Sequence, residues 1–352
     1  MLLNILVAIA GAVIVWVTLS DVFKSAIVPR EVDHHRVSAL ISTFLWWIWR
    51  RRADLIHEPG RREYFLGTYA PFQMIFVLML WVALLIVGYG LIFFALRTQL
   101  HPQPISLWAA LYFAGTSLLT IGFGDIVGQT GLARLVSLVD GASGLGVVAV
   151  VTSYLFAVFG AYQRREAFVV VLRARAGTPP SGAGLLAVSG YAHAIGRLPD
   201  FFQAGQFWMA DVVQTHLAYP ILGYFRSKGS DESWIGTLGT LLDAATLLVA
   251  SVADDCDAEA RFMFDVARRA TRDLTAHYRL AASTGVGIER CEFDAACDEL
   301  CDAGYRLQDR EAAWLTFGEL RSTYAMELNG LARYLDIPPV RWVGDRSFRS
   351  VH

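Results

Sequence analysis

The sequence is short of charge, of cysteine and of any catalytic side-chain pattern. Charged residues make up 18% of the 352 residues, and 30 basic side chains nearly balance 32 acidic ones, for a formal net charge of −2. This balance argues for neither a nucleic-acid partner nor a strongly acidic one. No convergent His, Ser, Cys or carboxylate pattern indicates an enzyme, and no motif indicates a cofactor. The cysteines all lie in the C-terminal half, where we predict free thiols in a reducing compartment: Cys256, Cys291, Cys297 and Cys301.

Apolar residues are abundant by comparison. Hydrophobic residues make up 55% of the chain and the mean hydropathy is +0.43, more than a soluble domain needs to fill its core. Three stretches reach the roughly 20 residues that a helix needs to cross the hydrocarbon: 2–23, 71–96 and 132–162. The apolar run 37–49 is short for a span and carries three tryptophans, so we interpret it as interfacial. Because no basic leader precedes the first stretch, we interpret it as a retained anchor.

Basic residues set the predicted orientation. Cytoplasmic loops are enriched in Lys and Arg, and eight of these residues crowd the region 24–70, whereas Arg97 is alone in the region 97–130. The first region is therefore predicted to be cytoplasmic and the second external, with the N-terminus outside. If 37–49 also spans the membrane, the N-terminus lies inside, but fewer positive charges are then on the cytoplasmic side.

A six-residue motif lies in the polar break between the second and third apolar stretches. Residues 120–125 read Thr-Ile-Gly-Phe-Gly-Asp. Ahead of it, 106–119 is helix-forming, begins with a capping serine and is too short to cross the bilayer. A row of backbone carbonyls that replaces the hydration shell of a cation requires small residues and unusual backbone angles at alternate positions, which Gly122 and Gly124 supply. The pattern predicts a re-entrant helix followed by a selectivity filter, facing an aqueous axis.

Residues 71–162 resemble the pore module of the two-helix potassium channel family: outer helix, pore helix, filter and inner helix. The family signature, Thr-Val-Gly-Tyr-Gly-Asp, differs here at Ile121 and Phe123. Ile keeps a β-branched side chain, whereas Phe lacks the hydroxyl that ties the filter to surrounding aromatics. Gly-Phe-Gly filters occur in potassium-selective members, so we expect selectivity for K⁺. The resemblance implies that the ion-binding residues are Thr120, Ile121, Gly122, Phe123 and Gly124, with K⁺ held by the carbonyls of the first four and the Thr120 hydroxyl.

The same resemblance assigns residues that support the filter. Tyr112 and Phe113 fall where family members carry pore-helix aromatics, and Thr116 falls where some carry a glutamate that braces the filter aspartate. Without that brace Asp125 needs another partner, for which Tyr112 is a candidate. Asp140 is an ionisable residue at membrane depth, which by default indicates function. We favour a structural role for it behind the filter.

Glycines recur in the third apolar stretch. Gly144 lies 24 residues beyond Thr120, the spacing at which the family places the hinge of its inner helix, and Gly141 and Gly146 flank it. Small residues also allow close helix packing in membranes. The sequence leaves the hinge and packing interpretations open.

Residues 163–352 show the periodicity of amphipathic helices and no strand alternation. We predict helices over 234–252, 258–282, 293–307 and 312–335. The run 235–252 is apolar enough for a span, but Asp243 lies within it, so we interpret it as a core helix. The segment 285–289 has two glycines but lacks the third of a nucleotide fingerprint, and a turn is favoured. We expect the cysteines near 297 to pack rather than to join a histidine such as His277 around zinc.

The sequence thus predicts an all-α membrane protein with an N-terminal segment 1–70, a pore module 71–162 and a helical cytoplasmic domain 163–352. One chain contributes one filter strand and a ring of carbonyls around an ion needs four, so we predict a homotetramer. We expect passive potassium conduction across a prokaryotic inner membrane, with membrane lipids and an unidentified cytoplasmic regulatory ligand as further partners. Two alternatives stay open: a weakly selective cation channel, and a potassium uptake transporter subunit, which a single pore segment with two filter glycines disfavours.

Overall fold

The computed structural model describes residues 2–26, 37–177, 179–227, 229, 233–253, 257–280, 287–338 and 340–343. The described part is almost wholly helical, which confirms the predicted all-α class. Cys256, which was predicted to be a free thiol, lies outside the described residues. The predicted turn at 285–289 lies partly outside them, because the description resumes at residue 287. The α-helices are α1 Leu2–Ala26, α2 Val37–Ala53, α3 Pro59–Gly67, α4 Tyr69–Ala95, α5 Leu107–Leu118, α6 Gly131–Ala176, α7 Gly182–Tyr191, α8 Leu198–Ala218, α9 Trp234–Ser251, α10 Asp257–His277, α11 Arg290–Asp302, α12 Arg310–Ser322 and α13 Ala325–Tyr334. Two-residue strands β1 Leu100–His101 and β2 Val127–Gly128, and short 3₁₀ helices at 97–99, 195–197 and 220–224, complete the described elements.

The chain divides into two compact units. The first comprises Met1–Trp49 and Thr68–Val158, and the second comprises Arg50–Gly67 and Phe159–His352. Helix α6 belongs to both, because it continues without a break from the first unit into the second. Residues 50–67, which the sequence analysis counted with the N-terminal segment, are part of the second unit.

Four helical segments in the described residues are long and apolar enough to cross a membrane: Leu2–Ser25, Pro59–Ala95, Gly131–Ala176 and Trp234–Ser251. The first three have 17–33% of their most apolar window buried, whereas α9 has 94% of it buried. A helix enclosed to that extent by its own unit has no face left for lipid. The burial therefore favours a core helix for α9, and the first three segments make this a membrane protein.

In the first unit, α1 packs closely against α4. A Cβ atom added to Gly11 would lie 2.5 Å from the Gly88 carbonyl oxygen, and one added to Gly88 would lie 3.0 Å from the Gly11 carbonyl oxygen. Nearby, the Trp81 indole donates a buried hydrogen bond of 2.8 Å to Asp21. Small residues at the crossing and a polar pair beside it are the means by which membrane helices associate.

One helix is longer than the apolar stretch that predicted it, and one predicted helix is in fact two. The third apolar stretch ends near Tyr162, whereas α6 runs on to Ala176, because hydropathy marks where a helix leaves the hydrocarbon and not where the helix itself ends. The predicted helix over 312–335 is two helices, α12 and α13, separated at Thr323 and Tyr324. At this break the Tyr324 side chain is buried in the core, where its hydroxyl donates a hydrogen bond of 2.7 Å to Asp243.

In the second unit, ion pairs connect α3 to residues of the C-terminal half. Arg62 forms an ion pair with the buried carboxylate of Asp336, and Glu63 lies 3.3 Å from Arg226. Arg226 also donates to the carbonyl oxygens of Leu335 and Asp336 at 2.7 and 2.8 Å. Because one residue, Thr68, separates α3 from α4, the segment that leads into the outer helix is anchored in the second unit.

A buried polar cluster holds the end of α6. Arg165, 1% exposed, donates to the carbonyl oxygens of Leu222 and Phe225, both at 2.8 Å. Its Nη1 lies 3.2 Å from Nε2 of His216, whose Nδ1 lies 2.7 Å from the Val212 carbonyl oxygen. A carbonyl only accepts and a guanidinium only donates, so the ring carries its proton on Nδ1 and is neutral.

We expect His216 to make the protein less stable as the pH falls below about 6.5. Burial, and secondarily the positive charge of Arg165, hold the pKa of His216 well below its usual value. The unfolded chain takes up a proton near the usual pKa while the folded chain does not, so stability is complete above that pH and is lost below it, by up to about 1.4 kcal/mol per pH unit. Unfolding of the wild type and of His216→Gln between pH 8 and 5.5 measures this difference. Parallel profiles for the two proteins would contradict it.

Candidate functional site

The candidate site is a loop between β1 and β2, and the pairing of these two strands brings the start and the end of the loop together. Leu100 of β1 pairs with Gly128 of β2 in antiparallel register, and the Gln129 amide donates to the Gln99 carbonyl oxygen at 2.9 Å. Helix α5 lies inside this loop and begins after Ser106, whose hydroxyl accepts a hydrogen bond from the Ala109 amide at 3.3 Å. Its 12 residues extend about 18 Å, short of the roughly 30 Å of hydrocarbon. The short helix and the closed loop have the form of a re-entrant segment.

The six-residue motif follows directly from the end of α5. The Thr116 carbonyl oxygen accepts from the amides of Ile121 at 2.8 Å and Gly122 at 3.2 Å, and the Ser117 carbonyl oxygen accepts from Thr120 at 3.0 Å. These bonds turn the chain out of the helix. They fix the start of the motif to the last turn of α5, the end of the helix that carries a partial negative charge.

Within the motif, every second residue has a left-handed backbone. The φ angles of Thr120, Gly122 and Gly124 are 55°, 61° and 78°, whereas Ile121 and Phe123 do not have positive φ. Such alternation aligns successive peptide groups, as it does in backbone nests. A positive φ is an outlier for a β-branched residue such as Thr120, and strained backbone of this kind clusters at functional sites. A Cβ atom added to Gly122 or Gly124 would meet nothing within 4 Å in the protomer.

Aromatic and acidic side chains lie beside the motif. The rings of Tyr112 and Phe123 stack with 6.3 Å between centroids and 4° between planes. The Tyr112 hydroxyl hydrogen-bonds the Asp125 side chain, which also accepts from the Ile126 amide at 3.1 Å. Tyr112 thus supports both an aromatic and the aspartate of the motif. Tyr112 is therefore a partner for Asp125, although Thr116 stands where some channels carry the glutamate that braces this aspartate.

The other two pore-helix residues that the sequence singled out point away from the motif. The Thr116 hydroxyl is buried and donates to the Phe113 carbonyl oxygen at 2.9 Å. The Phe113 ring packs edge-on against Phe93 of α4, with 4.7 Å between centroids. Thr116 therefore reaches the motif through its backbone carbonyl, and Phe113 holds α5 against the outer helix.

Gly144 lies where α6 passes the end of α5. A Cβ atom added there would lie 1.8 Å from the Leu118 carbonyl oxygen, whereas one added to Gly141 would lie 3.4 Å from that of Ser117 and one added to Gly146 would meet nothing within 4 Å. The close approach gives Gly144 a packing role in the protomer. A hinge at Gly141, Gly144 or Gly146 stays a prediction.

We expect Gly144→Ala to destabilise the protein by about 3 kcal/mol, because the added methyl group meets backbone that a rotamer change cannot move away. Gly146→Ala is the matched control, since it adds the same methyl group to the same helix where space is open. The fraction of protein that stays monodisperse in gel filtration after heating measures the difference. Equal survival of the two variants would contradict the close approach of α6 to α5.

Asp140 is the most isolated of the predicted residues. It is fully buried, and within the described chain neither of its carboxylate oxygens has a hydrogen-bond partner. Three residues further along α6, the hydroxyls of Ser143 and Tyr89 pair at 2.7 Å. The structure gives Asp140 no bond to the motif, so its role behind the filter stays a prediction.

Sequence reasoning missed the contacts that hold α5 in place. A Cβ atom added to Gly90 would lie 3.1 Å from the Leu111 Cα, so α4 and α5 approach backbone to backbone. The pairing of β1 with β2 was missed as well, since two-residue strands leave no alternation pattern to detect. The sequence did carry a signal for the close approach of α4 and α5, because Gly88 and Gly90 lie in a stretch of otherwise large apolar residues.

Comparison with known proteins agrees with this geometry. A family model described as "Ion channel" matches residues 76–161, which include α5, the six-residue motif and the first part of α6. An uncharacterized membrane protein, YdjJ from Bacillus subtilis (strain 168), is 25% identical over 214 residues, covering 57% of this chain and 58% of the relative. The chain thus aligns with little more than half of that relative's length. No solved structure matches. The matched module, the helical fold and the apolar spanning segments together support a passive ion channel of the membrane.

Proposed function

We propose that this protein is a potassium-selective channel, which conducts passively as a homotetramer in a prokaryotic inner membrane. The observation that carries the proposal is the left-handed backbone at Thr120, Gly122 and Gly124 inside a re-entrant loop. A backbone of alternating hand, with open space beside both glycines, is suited to presenting a row of carbonyl oxygens to an ion.

Four copies are needed because one strand supplies only one side of an ion cage. In the tetramer, carbonyl oxygens of residues 120–123 and the Thr120 hydroxyl would replace the hydration shell of K⁺. The C-terminal end of α5, joined to the motif through Thr116, adds a partial negative charge that favours a cation. Several adjacent weak sites let an ion enter and leave again, as conduction requires.

A weakly selective cation channel is the second candidate, and two observations favour it. Phe123 has no hydroxyl with which to bind a surrounding group, and Thr116 turns its hydroxyl to its own helix. Against this, Tyr112 stacks on Phe123 and hydrogen-bonds Asp125, so that one side chain supports two residues in the second half of the filter strand. No observation favours a potassium uptake subunit.

Reversal potentials in planar bilayers test the proposal. With K⁺ on one side and Na⁺ at equal concentration on the other, we expect a reversal potential far from zero, of the sign that K⁺ permeation gives. A value near zero would indicate the weakly selective channel. Phe123→Tyr is the matched variant, because it restores the hydroxyl and changes nothing else in the filter strand. A large gain of K⁺ selectivity in this variant would also point to a loose wild-type filter.

A further inference from the structure

Helix α2 has one packed face and one exposed apolar face. On the packed face, Trp46 is 3% exposed, its ring lies 4.8 Å from that of Tyr69, and the Tyr69 hydroxyl donates to the Ser42 carbonyl oxygen at 2.7 Å. The opposite face carries large apolar side chains at the four- and three-residue spacing of a helical stripe: Leu40, Phe44 and Trp47, which are 61%, 59% and 54% exposed. Exposed apolar patches of this kind mark interaction surfaces.

The place where α2 meets α4 indicates what covers this face. The Trp49 ring stacks on Phe72 with 4.8 Å between centroids, and the Gln73 amide donates to the Ser42 hydroxyl. These contacts fall within the first five residues of α4, Tyr69–Gln73. At 1.5 Å per residue the 27 residues of α4 reach about 40 Å, more than the roughly 30 Å of hydrocarbon. Because the charged helix α3 ends one residue before α4 begins, α2 meets α4 at the edge of the membrane.

The last turn of α2 adds positive charge. The helix ends with Arg50, Arg51 and Arg52 before Ala53, and its 17 residues include no acidic one. Arg51 lies four residues beyond Trp47 and so continues the exposed stripe, and Arg52 is exposed as well. A guanidinium can bind two oxygens of a phosphate at once. Aromatic residues followed by arginines at the edge of the hydrocarbon suit a headgroup layer that carries phosphate.

We propose that α2 lies at the membrane surface and binds anionic phospholipid, with Arg51 and Arg52 on the headgroup phosphate. The exposed side chains of Leu40, Phe44 and Trp47 then lie among the adjoining acyl chains. These five residues belong to one uninterrupted helix, which by itself fixes their spacing. Lipid is favoured over another protein because the contacts with the start of α4 hold this face beside the bilayer, and because a helix with arginines and no acid complements a negative headgroup. The inference goes beyond the proposed conduction and does not depend on it.

Quenching of tryptophan fluorescence by brominated lipid tests this site in the full-length protein. Vesicles contain equal amounts of phosphatidylglycerol and phosphatidylcholine, with bromine on the acyl chains of either the anionic or the neutral lipid. The signal of Trp47 is the difference between the wild type and Trp47→Phe, which keeps an aromatic ring at an exposed position. Arg51→Gln/Arg52→Gln removes the two charges. Arg272→Gln/Arg310→Gln is the matched control, because it removes two charges from partly exposed arginines on α10 and α12.

We expect brominated phosphatidylglycerol to quench Trp47 of the wild type several-fold more than brominated phosphatidylcholine does. Arg51→Gln/Arg52→Gln should lose this preference and keep the quenching by phosphatidylcholine, whereas the control should behave as the wild type does. Equal quenching by the two lipids in the wild type would overturn the anionic site. So would a preference that survives in Arg51→Gln/Arg52→Gln, or one that the control loses to the same extent.

A fourth result would also overturn the proposal. If neither lipid quenches Trp47, a second copy or another part of the chain covers the exposed face of α2. Lipid contact is measured here without any current, so each of these results is independent of whether the protein conducts potassium.

Discussion

Gly122→Ala is expected to abolish potassium current and to leave the assembly intact. Gly122 has a φ of 61°, which an L side chain adopts only at a penalty of about 1–2 kcal/mol. The space around it is open, so the added methyl group does not clash within the protomer. The strain instead favours a different backbone angle at this residue. In the proposed tetramer, rotation of the peptide group would turn a carbonyl away from the ion path in every filter strand. Bilayer recording measures the current, and gel filtration measures the assembly.

Gly131→Ala is the control for this substitution. Gly131 begins α6, has no positive φ, and a Cβ atom added there would meet nothing within 4 Å. The variant should conduct as the wild type does. Normal conductance in Gly122→Ala would contradict the assignment of the filter, whereas loss of current in both variants would show that current responds to any added methyl group in this region.

Asp243→Asn is expected to lower the melting temperature of the second unit by about 6–20 °C. Asp243 and Arg321 form an ion pair with 1% and 5% exposure, and Asp243 also accepts from the Tyr324 hydroxyl at 2.7 Å. Removing one charge of a buried pair leaves the other uncompensated, which costs about 3–5 kcal/mol. The amide keeps the size of the side chain and an acceptor for Tyr324, so the effect isolates the charge.

Thermal unfolding of the purified full-length protein, followed by circular dichroism, measures this effect. Asp273→Asn on the exposed face of α10 removes the same charge where water solvates it, and should change stability by no more than about 0.5 kcal/mol. If the melting temperature of Asp243→Asn changes as little as that of the control, the buried ion pair does not stabilise the protein.

The sequence located the six-residue motif and the short helix before it because both depend on local residue types. Glycines at 122 and 124 permit the left-handed backbone seen there, and Ser106 caps α5. Residues 234–252 were interpretable as a core helix for a similar reason, since Asp243 marks a stretch that lipid would not accept. These inferences need no knowledge of distant contacts.

What could not be predicted depends on residues that are far apart in the chain. The ion pair of Arg62 with Asp336 joins positions 274 residues apart, and no periodicity or spacing relates them. The break between α12 and α13 is of the same kind, because Tyr324 turns inward to reach Asp243, 81 residues earlier. Hydropathy does not report the end of α6 either, because the helix continues past its apolar stretch through polar residues that suit a helix as well as apolar ones do.

The segment that precedes α4 and the last part of α6 are held within the same unit. The ion pairs of Arg62 and Glu63 hold α3, which precedes α4, and the buried Arg165 holds the last part of α6. Unfolding of the second unit should therefore release both segments together, so a substitution that destabilises this unit is expected to loosen both attachments at once.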